Sequence, residues 1–290
     1  MFKALLQSFS ESADGSRGPE RLAALRAALA AGNLDGYLVP RADQHQGEYV
    51  PPCDERLAWL TGFTGSAGGA VVLMAKAALF ADGRYTEQAA AQTDPSAFER
   101  VLWPPGTIDG WLRRHAPSGS RIGFDPALHT PGEIERFTKG LNSAGIHLVP
   151  CENNPIDALW QDRPAPSDGR IVLQPARLAG ETTAQKLARI RAALADERLD
   201  ALLISDPHAL AWTFNIRGAD VAYTPLPLGY ALIPAKGRAT VFVAPSKLTA
   251  AVPRALAPHA EIAAPDALEA TLEAAAHGAR SVSHTSSSLA

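Results

Sequence analysis

Three clusters of polar residues interrupt an otherwise apolar, alanine-rich chain, and each has side chains able to do chemistry. The first is Asp43, His45, Gln46, Glu48 and Tyr49 in ADQHQGEYVPPCDER. It follows a buried apolar run, and α/β proteins often place ligand sites in irregular loops just beyond such a strand. The second is ADGRY, residues Ala81–Tyr85. Asp82 and Arg84 flank a glycine at the end of an apolar strand. Arg84 could therefore meet an anionic or carbonyl group, or pair on the surface with Asp82 or Glu87; the residues alone leave both open. The third is FNIRGADV, Phe214–Val221, with Arg217 and Asp220 beside Gly218. Its expected role is a turn fixed by an internal salt bridge rather than a ligand site.

Other patterns point away from familiar catalytic centres. None of the eight histidines (His45, His115, His129, His147, His208, His259, His277 and His284) has HExxH or His-x-His spacing. GFTGSAGG (Gly62–Gly69) contains Gly-Ser-Ala-Gly but not the GxSxG of a nucleophile elbow. It has neither the Gly-Lys-Ser/Thr of a phosphate loop nor a GxGxxG fingerprint. A tight loop in which backbone packs on backbone is expected there. Cys53 and Cys151 lie far apart in sequence and read as two unbonded thiols rather than a disulfide.

The elements that must position these clusters occur twice. ERLAALRAALAAGNLDGYLV (Glu20–Val39) matches QKLARIRAALADERLDALLI (Gln185–Ile204), with Leu25 against Ile190, Arg26 against Arg191, Leu29 against Leu194 and Asp35 against Asp200, at an offset of 165. Each copy is an amphipathic helix followed by an apolar strand. The match resumes at an offset of 153, where WLTGFTG (Trp59–Gly65) aligns with WTFNIRG (Trp212–Gly218). The first copy therefore carries about twelve extra residues in the intervening loop. Pro19 suits the first position of the opening helix, Gly32 and Asn33 its end, and Thr182 or Thr183 the start of the equivalent helix. Strands are expected at Gly36–Val39, Ala70–Leu73 with Ala77–Ala81 as a hairpin, Arg121–Phe124, His147–Val149, Leu202–Ser205, Gly229–Ile233 and Thr240–Ala244. Helices are expected around 84–92, 108–115, 131–144 and 267–275, and another strand is expected to begin at 280–283. Alternation of this kind gives an α/β fold: two tandem related domains, each a mixed sheet flanked by helices. We divide the chain into a flexible lead (1–18), a first domain (19–162), a linker (163–180) beginning with the proline-rich RPAPSDG, and a second domain (181–290). SVSHTSSSLA shows no closing cap or turn, so the second domain is expected to be cut short there.

Composition narrows the function classes. Hydrophobic residues make up 46% and charged residues 20% of 290, a globular balance. With a net charge of -3 and no basic run, nothing points to nucleic acid. The apolar runs are strand-length, short of the roughly 20 residues a membrane helix needs. The start lacks the long apolar core of a secretory signal, and a cytoplasmic location is expected.

The same three clusters carry a family resemblance. VPRADQHQGEYVPPCDERLAWLTGFTGSAGGAVV, FADGRYTEQAAAQ and WTFNIRGADVAYTPLPLGYALI, in that order, resemble the amino-terminal part of Xaa-Pro aminopeptidases, the aminopeptidase P branch of the creatinase/methionine-aminopeptidase clan. The similarity runs from Glu20 to Ala290 and is closest to the long, three-domain members. It implies two creatinase-like amino-terminal domains followed by a pita-bread catalytic domain that this sequence does not contain. In the family that third domain holds two divalent ions, usually manganese, on two Asp, one His and two Glu. No metal ligand and no catalytic residue is therefore assigned to this chain, and it needs no cofactor of its own. The one substrate-contacting residue the resemblance transfers is the Arg of Asp-Gly-Arg-Tyr, here Arg84. The implied role is restriction of access to short peptides with penultimate proline, together with homodimer formation, in a chain inactive alone. The alternatives are a stand-alone, non-catalytic peptide- or protein-binding module of the same fold and a creatinase-type small-molecule hydrolase. FNIRGADV and the two full domains favour the peptidase.

Overall fold

The computed structural model describes residues 13–278 and 282–285. The chain forms two compact units. One takes the residues up to Arg41 with Glu55–Arg163; the other takes Ala42–Asp54 with the residues from Pro164 onward.

The first unit is built on six strands: β1 (Gly36–Pro40), β2 (Gly68–Leu73), β3 (Ala77–Asp82), β4 (Glu99–Trp103), β5 (Arg121–Phe124) and β6 (His147–Pro150). Their order is β4-β3-β2-β1-β5-β6. The β1-β2-β3 core is antiparallel, and β4, β5 and β6 add in parallel on the two sides. Side chains alternate across the sheet. Tyr37, Val39, Ala70, Val72 and Leu79 pack with Leu22, Leu25 and Leu29 of the helix Gly18–Ala31 and with Leu57 and Leu60 of the helix Arg56–Thr61. Leu38, Val71, Leu73 and Phe80 pack on the other face with Trp111 and Leu112 of Ile108–His115 and with Phe137 and Leu141 of Pro131–Asn142. Both faces are covered, which is why these strands read as continuous apolar runs. Each fully buried leucine contributes about 1.5–3 kcal/mol. Two of these helices start on a side-chain cap. Thr107 accepts from Gly110 N–H at 3.1 Å and Thr130 from Glu133 N–H at 3.3 Å.

The second unit holds β7 (Val172–Leu173), β8 (Ala201–Ile204), β9 (Ile216–Arg217), β10 (Tyr230–Pro234), β11 (Ala239–Phe242), β12 (Ala260–Ala263) and β13 (Val282–Thr285). The main sheet runs β12-β11-β10-β8-β13, and β7 pairs with β9 separately. The directions repeat those of the first unit: β8-β10-β11 is antiparallel, with β12 and β13 added in parallel outside. The helix Thr183–Glu197 opens on a capping box, Thr182 with Gln185. Within 163–180, Ile171 is fully buried and joined to Lys247–Thr249 by hydrogen bonds, and a short helix follows at Ala176–Ala179. Residues 1–12 of the expected lead and the last five residues lie outside the described residues.

The repeat holds to the level of single residues. Asn33 and Arg198, 165 apart, both end their helices with positive φ, 53° and 58°. The next amide in each case returns to the helix, Leu34 N–H to Leu29 O at 2.9 Å and Leu199 N–H to Leu194 O at 2.8 Å. Gly62 and Asn215, 153 apart, end the second helix of each copy with φ of 85° and 50°. Arg21 sits over the Trp59 ring and donates to the Trp59 carbonyl. Lys186 sits 4.4 Å from the Trp212 ring centroid and donates to the Trp212 carbonyl at 2.7 Å. Arg26 and Arg191 each send Nε to the carbonyl ending the facing strand, Leu73 O at 2.9 Å and Pro234 O at 3.3 Å.

Candidate functional site

The first polar cluster lies in the second unit, on the segment Ala42–Asp54. Asp43 organises it. Its Oδ1 accepts from His45 N–H at 2.9 Å and Gly47 N–H at 3.1 Å, closing a turn in which Gln46 takes a φ of 55°. Asx turns of this kind let a short side chain replace backbone hydrogen bonds. The turn drives His45 inward. Its ring is 4% exposed, lies 4.6 Å from the Tyr230 ring, and places Nδ1 2.9 Å from the Ser205 carbonyl. A carbonyl only accepts, so Nδ1 carries the proton. Burial pushes the His45 pKa below the ordinary imidazole value, outweighing the Ser205 carbonyl and the Asp43 and Asp54 charges that favour the cation. Burial likewise pushes the Tyr230 hydroxyl up, so it stays protonated. Tyr49, by contrast, is 56% exposed. Asp43, Gly47, Glu48 and Tyr49 form one side of a cavity of about 70 Å³; Pro207, His208, Val221, Thr224, Leu226 and Leu228 form the other. His208 stands at the start of the helix Pro207–Phe214, whose cap is Asp206.

Arg84 lies in the first unit, just beyond β3. Asp82 caps the turn Gly83–Tyr85, accepting from Arg84 N–H at 3.0 Å and from Arg84 Nε at 2.8 Å. Those two bonds hold the Asp82 carboxyl below its usual range, the backbone donor having the larger effect. The guanidinium sits 5.4 Å from the Tyr85 ring centroid, and the side chain is 69% exposed. The Tyr85 hydroxyl is 2.6 Å from Ser66 Oγ, which ties the Arg84 turn to the Gly62–Gly69 loop. In that loop backbone packs on backbone at two glycines, where a Cβ on Gly62 would lie 2.4 Å from the Gln92 carbonyl oxygen and one on Gly68 2.8 Å from that of Phe80, whereas at Gly65 the close neighbour is a side chain, the Phe63 ring at 2.2 Å. The surface pair with Asp82 thus forms, and it leaves the distal guanidinium nitrogens at the molecular surface.

The third cluster corrects one expectation. Asp220 does make a buried ion pair, but its partner is Lys247, at 2.8 Å, and not Arg217. Asp220 Oδ2 also accepts from Leu228 N–H at 2.6 Å. Arg217 turns away and donates to the Ile216 and Ala211 carbonyls at 2.7 and 3.3 Å. The physical reason is burial: the Asp220 side chain is fully enclosed, and the cation that can reach it lies 27 residues on, beyond β11. Lys247, Ser205 and Tyr230 were not singled out by sequence reasoning. They belong to other elements, and nothing local in the chain pairs them with the clusters.

Cys53 and Cys151 are both free thiols, and burial raises the Cys151 pKa. Among the described residues, no three His, Cys, Asp or Glu side chains gather to hold a metal ion, and no helix is long and apolar enough to cross a membrane.

With the repeated sheets and their clusters in view, comparison with known proteins decides the family. The family model for the creatinase/prolidase N-terminal domain matches residues 21–159, and a second model of the same description matches residues 162–290. The chain belongs to the creatinase/prolidase N-terminal domain family. It carries that domain twice, and neither match is to a pita-bread domain. The family's relatives include a probable Xaa-Pro aminopeptidase P of Coccidioides posadasii, 38% identical over 236 residues, which is 80% of this chain and 38% of that protein. A probable Xaa-Pro aminopeptidase P of Aspergillus niger is 39% identical over 217 residues, 74% of this chain and 35% of that protein. Among solved structures, the X-prolyl aminopeptidase of Caenorhabditis elegans, described as a cytosolic enzyme with a di-nuclear active site, superposes with a TM-score of 0.85. It is 30% identical and covers 90% of this chain and 45% of its own. The chain spans less than half the length of these relatives.

Proposed function

We propose that this chain is the amino-terminal region of a cytoplasmic, metal-dependent Xaa-Pro aminopeptidase, which removes the residue before a penultimate proline. The observation that carries this reading is the similarity to the worm X-prolyl aminopeptidase across 90% of the chain at a TM-score of 0.85, with Asp82-Gly83-Arg84-Tyr85 in place. Two divalent ions, manganese in this reading, would supply a Lewis acid and a hydroxide of lowered pKa. In this reading their ligands belong to a third domain, as the family resemblance implies. The contribution of these two domains is shape and positioning. They restrict access to short peptides with a free amino end, present Arg84 to the substrate, and support a homodimer. Alone they are inactive.

The test is Arg84→Ala in the whole protein. A charge-assisted hydrogen bond is worth about 1.5–3 kcal/mol, so kcat/KM should fall roughly 10- to 100-fold. The exposed Asp82 pair contributes only about 0–1 kcal/mol, so the melting temperature should barely move. Unchanged kinetics would remove Arg84 from the site.

A further inference from the structure

One atom of the Asp43 turn has no partner. Asp43 is 1% exposed and its Oδ1 is satisfied, yet Oδ2 is buried without a hydrogen bond. A buried carboxylate oxygen without a donor is strongly unfavourable, and the described residues provide none. Asp43 is among the residues that line the cavity of about 70 Å³, with Gly47, Glu48, Tyr49, Pro207, His208, Val221, Thr224, Leu226 and Leu228. That volume is roughly twice the ~30 Å³ share of a liquid water molecule, enough for a head group of a few heavy atoms. A Cβ on Gly47 would sit 3.5 Å from Oδ2, in contact with that oxygen.

The lining selects the ligand. The unpartnered Asp43 oxygen, with a second carboxylate, Glu48, in the same lining and Pro207, Val221, Leu226 and Leu228 among its walls, suits a donor that carries positive charge and a short apolar stem. A guanidinium presents a two-pronged fork and wants both oxygens of one carboxylate, whereas Asp43 Oδ1 is already taken by the His45 and Gly47 amides. A divalent hard cation wants six or more oxygens, and the described residues gather no metal cluster. We infer that this cavity binds a primary alkylammonium group, with Asp43 Oδ2 accepting its N–H. The shared chemistry is a methylene-ammonium head, which either a free small amine or a lysine side chain can supply.

The experiment uses the 290-residue chain and two probes, ethylammonium and N-acetyl-lysine methylamide, each followed by amide NMR shifts at Gly47, Val221 and Leu228. Saturable binding below about 100 mM is expected for at least one probe. Tighter binding of the lysine derivative identifies a protein side chain as the source; tighter binding of ethylammonium identifies a free amine. Asp43→Asn keeps the Oδ1 acceptor for His45 and Gly47 and replaces Oδ2 with an N–H donor, so affinity should fall about tenfold or more. Gly47→Ala should weaken binding by shielding the same oxygen, and it serves as the second variant if Asp43→Asn does not fold. Circular dichroism and thermal melts confirm folding of each. No saturable shift with either probe, or equal binding by a folded Asp43→Asn or Gly47→Ala variant, would overturn the assignment.

Discussion

The two copies of the domain share several local devices and differ most plainly in the segment between the first strand and the helix that follows it. In the second copy the chain leaves β8 through Ser205 and Asp206 and enters the helix Pro207–Phe214 directly, with Asp206 capping it through His208 and Ala209 N–H. In the first copy β1 and the equivalent helix, Arg56–Thr61, are separated by Arg41–Glu55, and the helix has no side-chain cap. Most of the added segment, Ala42–Asp54, packs as part of the second unit. The repeat therefore shows what one domain needs to fold. The insertion shows where the second unit acquires its buried histidine and its cavity. Shared geometry at matching positions serves stability; the asymmetric segment carries the cavity, while Arg84 lies outside it, in the turn after β3.

The largest expected effect lies where the units satisfy buried charge differently. Lys247→Met leaves Asp220 enclosed and unpaired, and should destabilise the chain by about 3–5 kcal/mol in chemical denaturation. Adding Asp220→Asn to the same chain should recover most of that. In the first unit, Arg56 makes a two-pronged contact to Asp157 at 2.6 and 2.9 Å. Asp157 is 30% exposed and keeps Arg163 at 2.8 Å, so Arg56→Met should cost clearly less. Equal losses would break this part of the comparison.

Next come the cations over the tryptophans. Arg21→Met and Lys186→Met each remove a donor to a helix-end carbonyl and a cation–π contact, and each should cost about 1–3 kcal/mol. Lys186 should be the larger of the two, because it also donates to Asn215 Oδ1 at 2.6 Å. A negligible change in both would mean the shared device is incidental.

A smaller effect tests the insertion itself. Burial holds the folded-state pKa of His45 below its ordinary value of 6.5. Below that value the unfolded state binds a proton that the folded state refuses. Stability of the second unit should therefore fall as pH drops below about 6.5, the loss continuing until pH passes the lowered folded value. The groups facing His45 are Asp43, Asp54, Lys247, Tyr230 and the Ser205 carbonyl. Melting temperature against pH for the wild type and His45→Gln measures this, the variant lacking the acid slope. Parallel profiles would show that His45 titrates alike in both states.

The smallest effect is at the helix ends. Asn tolerates the left-handed region better than Arg, so Arg198→Gly should gain roughly 0.5–1 kcal/mol and Asn33→Gly less. The two gains, compared in denaturant melts, check that these residues occupy the same structural position.

Much of this architecture was legible in the chain. The helix–strand repeat shows because apolar spacing of 3.6 followed by a short apolar run is strong at both Glu20–Val39 and Gln185–Ile204. The shift from an offset of 165 to 153 gave the length of the insertion, but not where it packs, since packing depends on elements more than 150 residues away. The edge strands β4 and β12 went unassigned. Glu99 and Arg100 in β4 and Glu261 in β12 put charge on strands paired on one side only, and that hides the alternation that marks inner strands. The Asp220–Lys247 pair had no local signal, whereas the Asp82–Arg84 pair did, because its two residues flank one glycine.

The central proposal is that these two domains position substrate for a metal centre supplied by a further domain. The most direct test is release of the N-terminal residue from a peptide with penultimate proline, measured with added manganese for the 290-residue chain and for the complete product of its gene. The account predicts turnover by the complete product and none by the chain. Turnover by the chain alone, at a rate approaching that of the complete product, would contradict it.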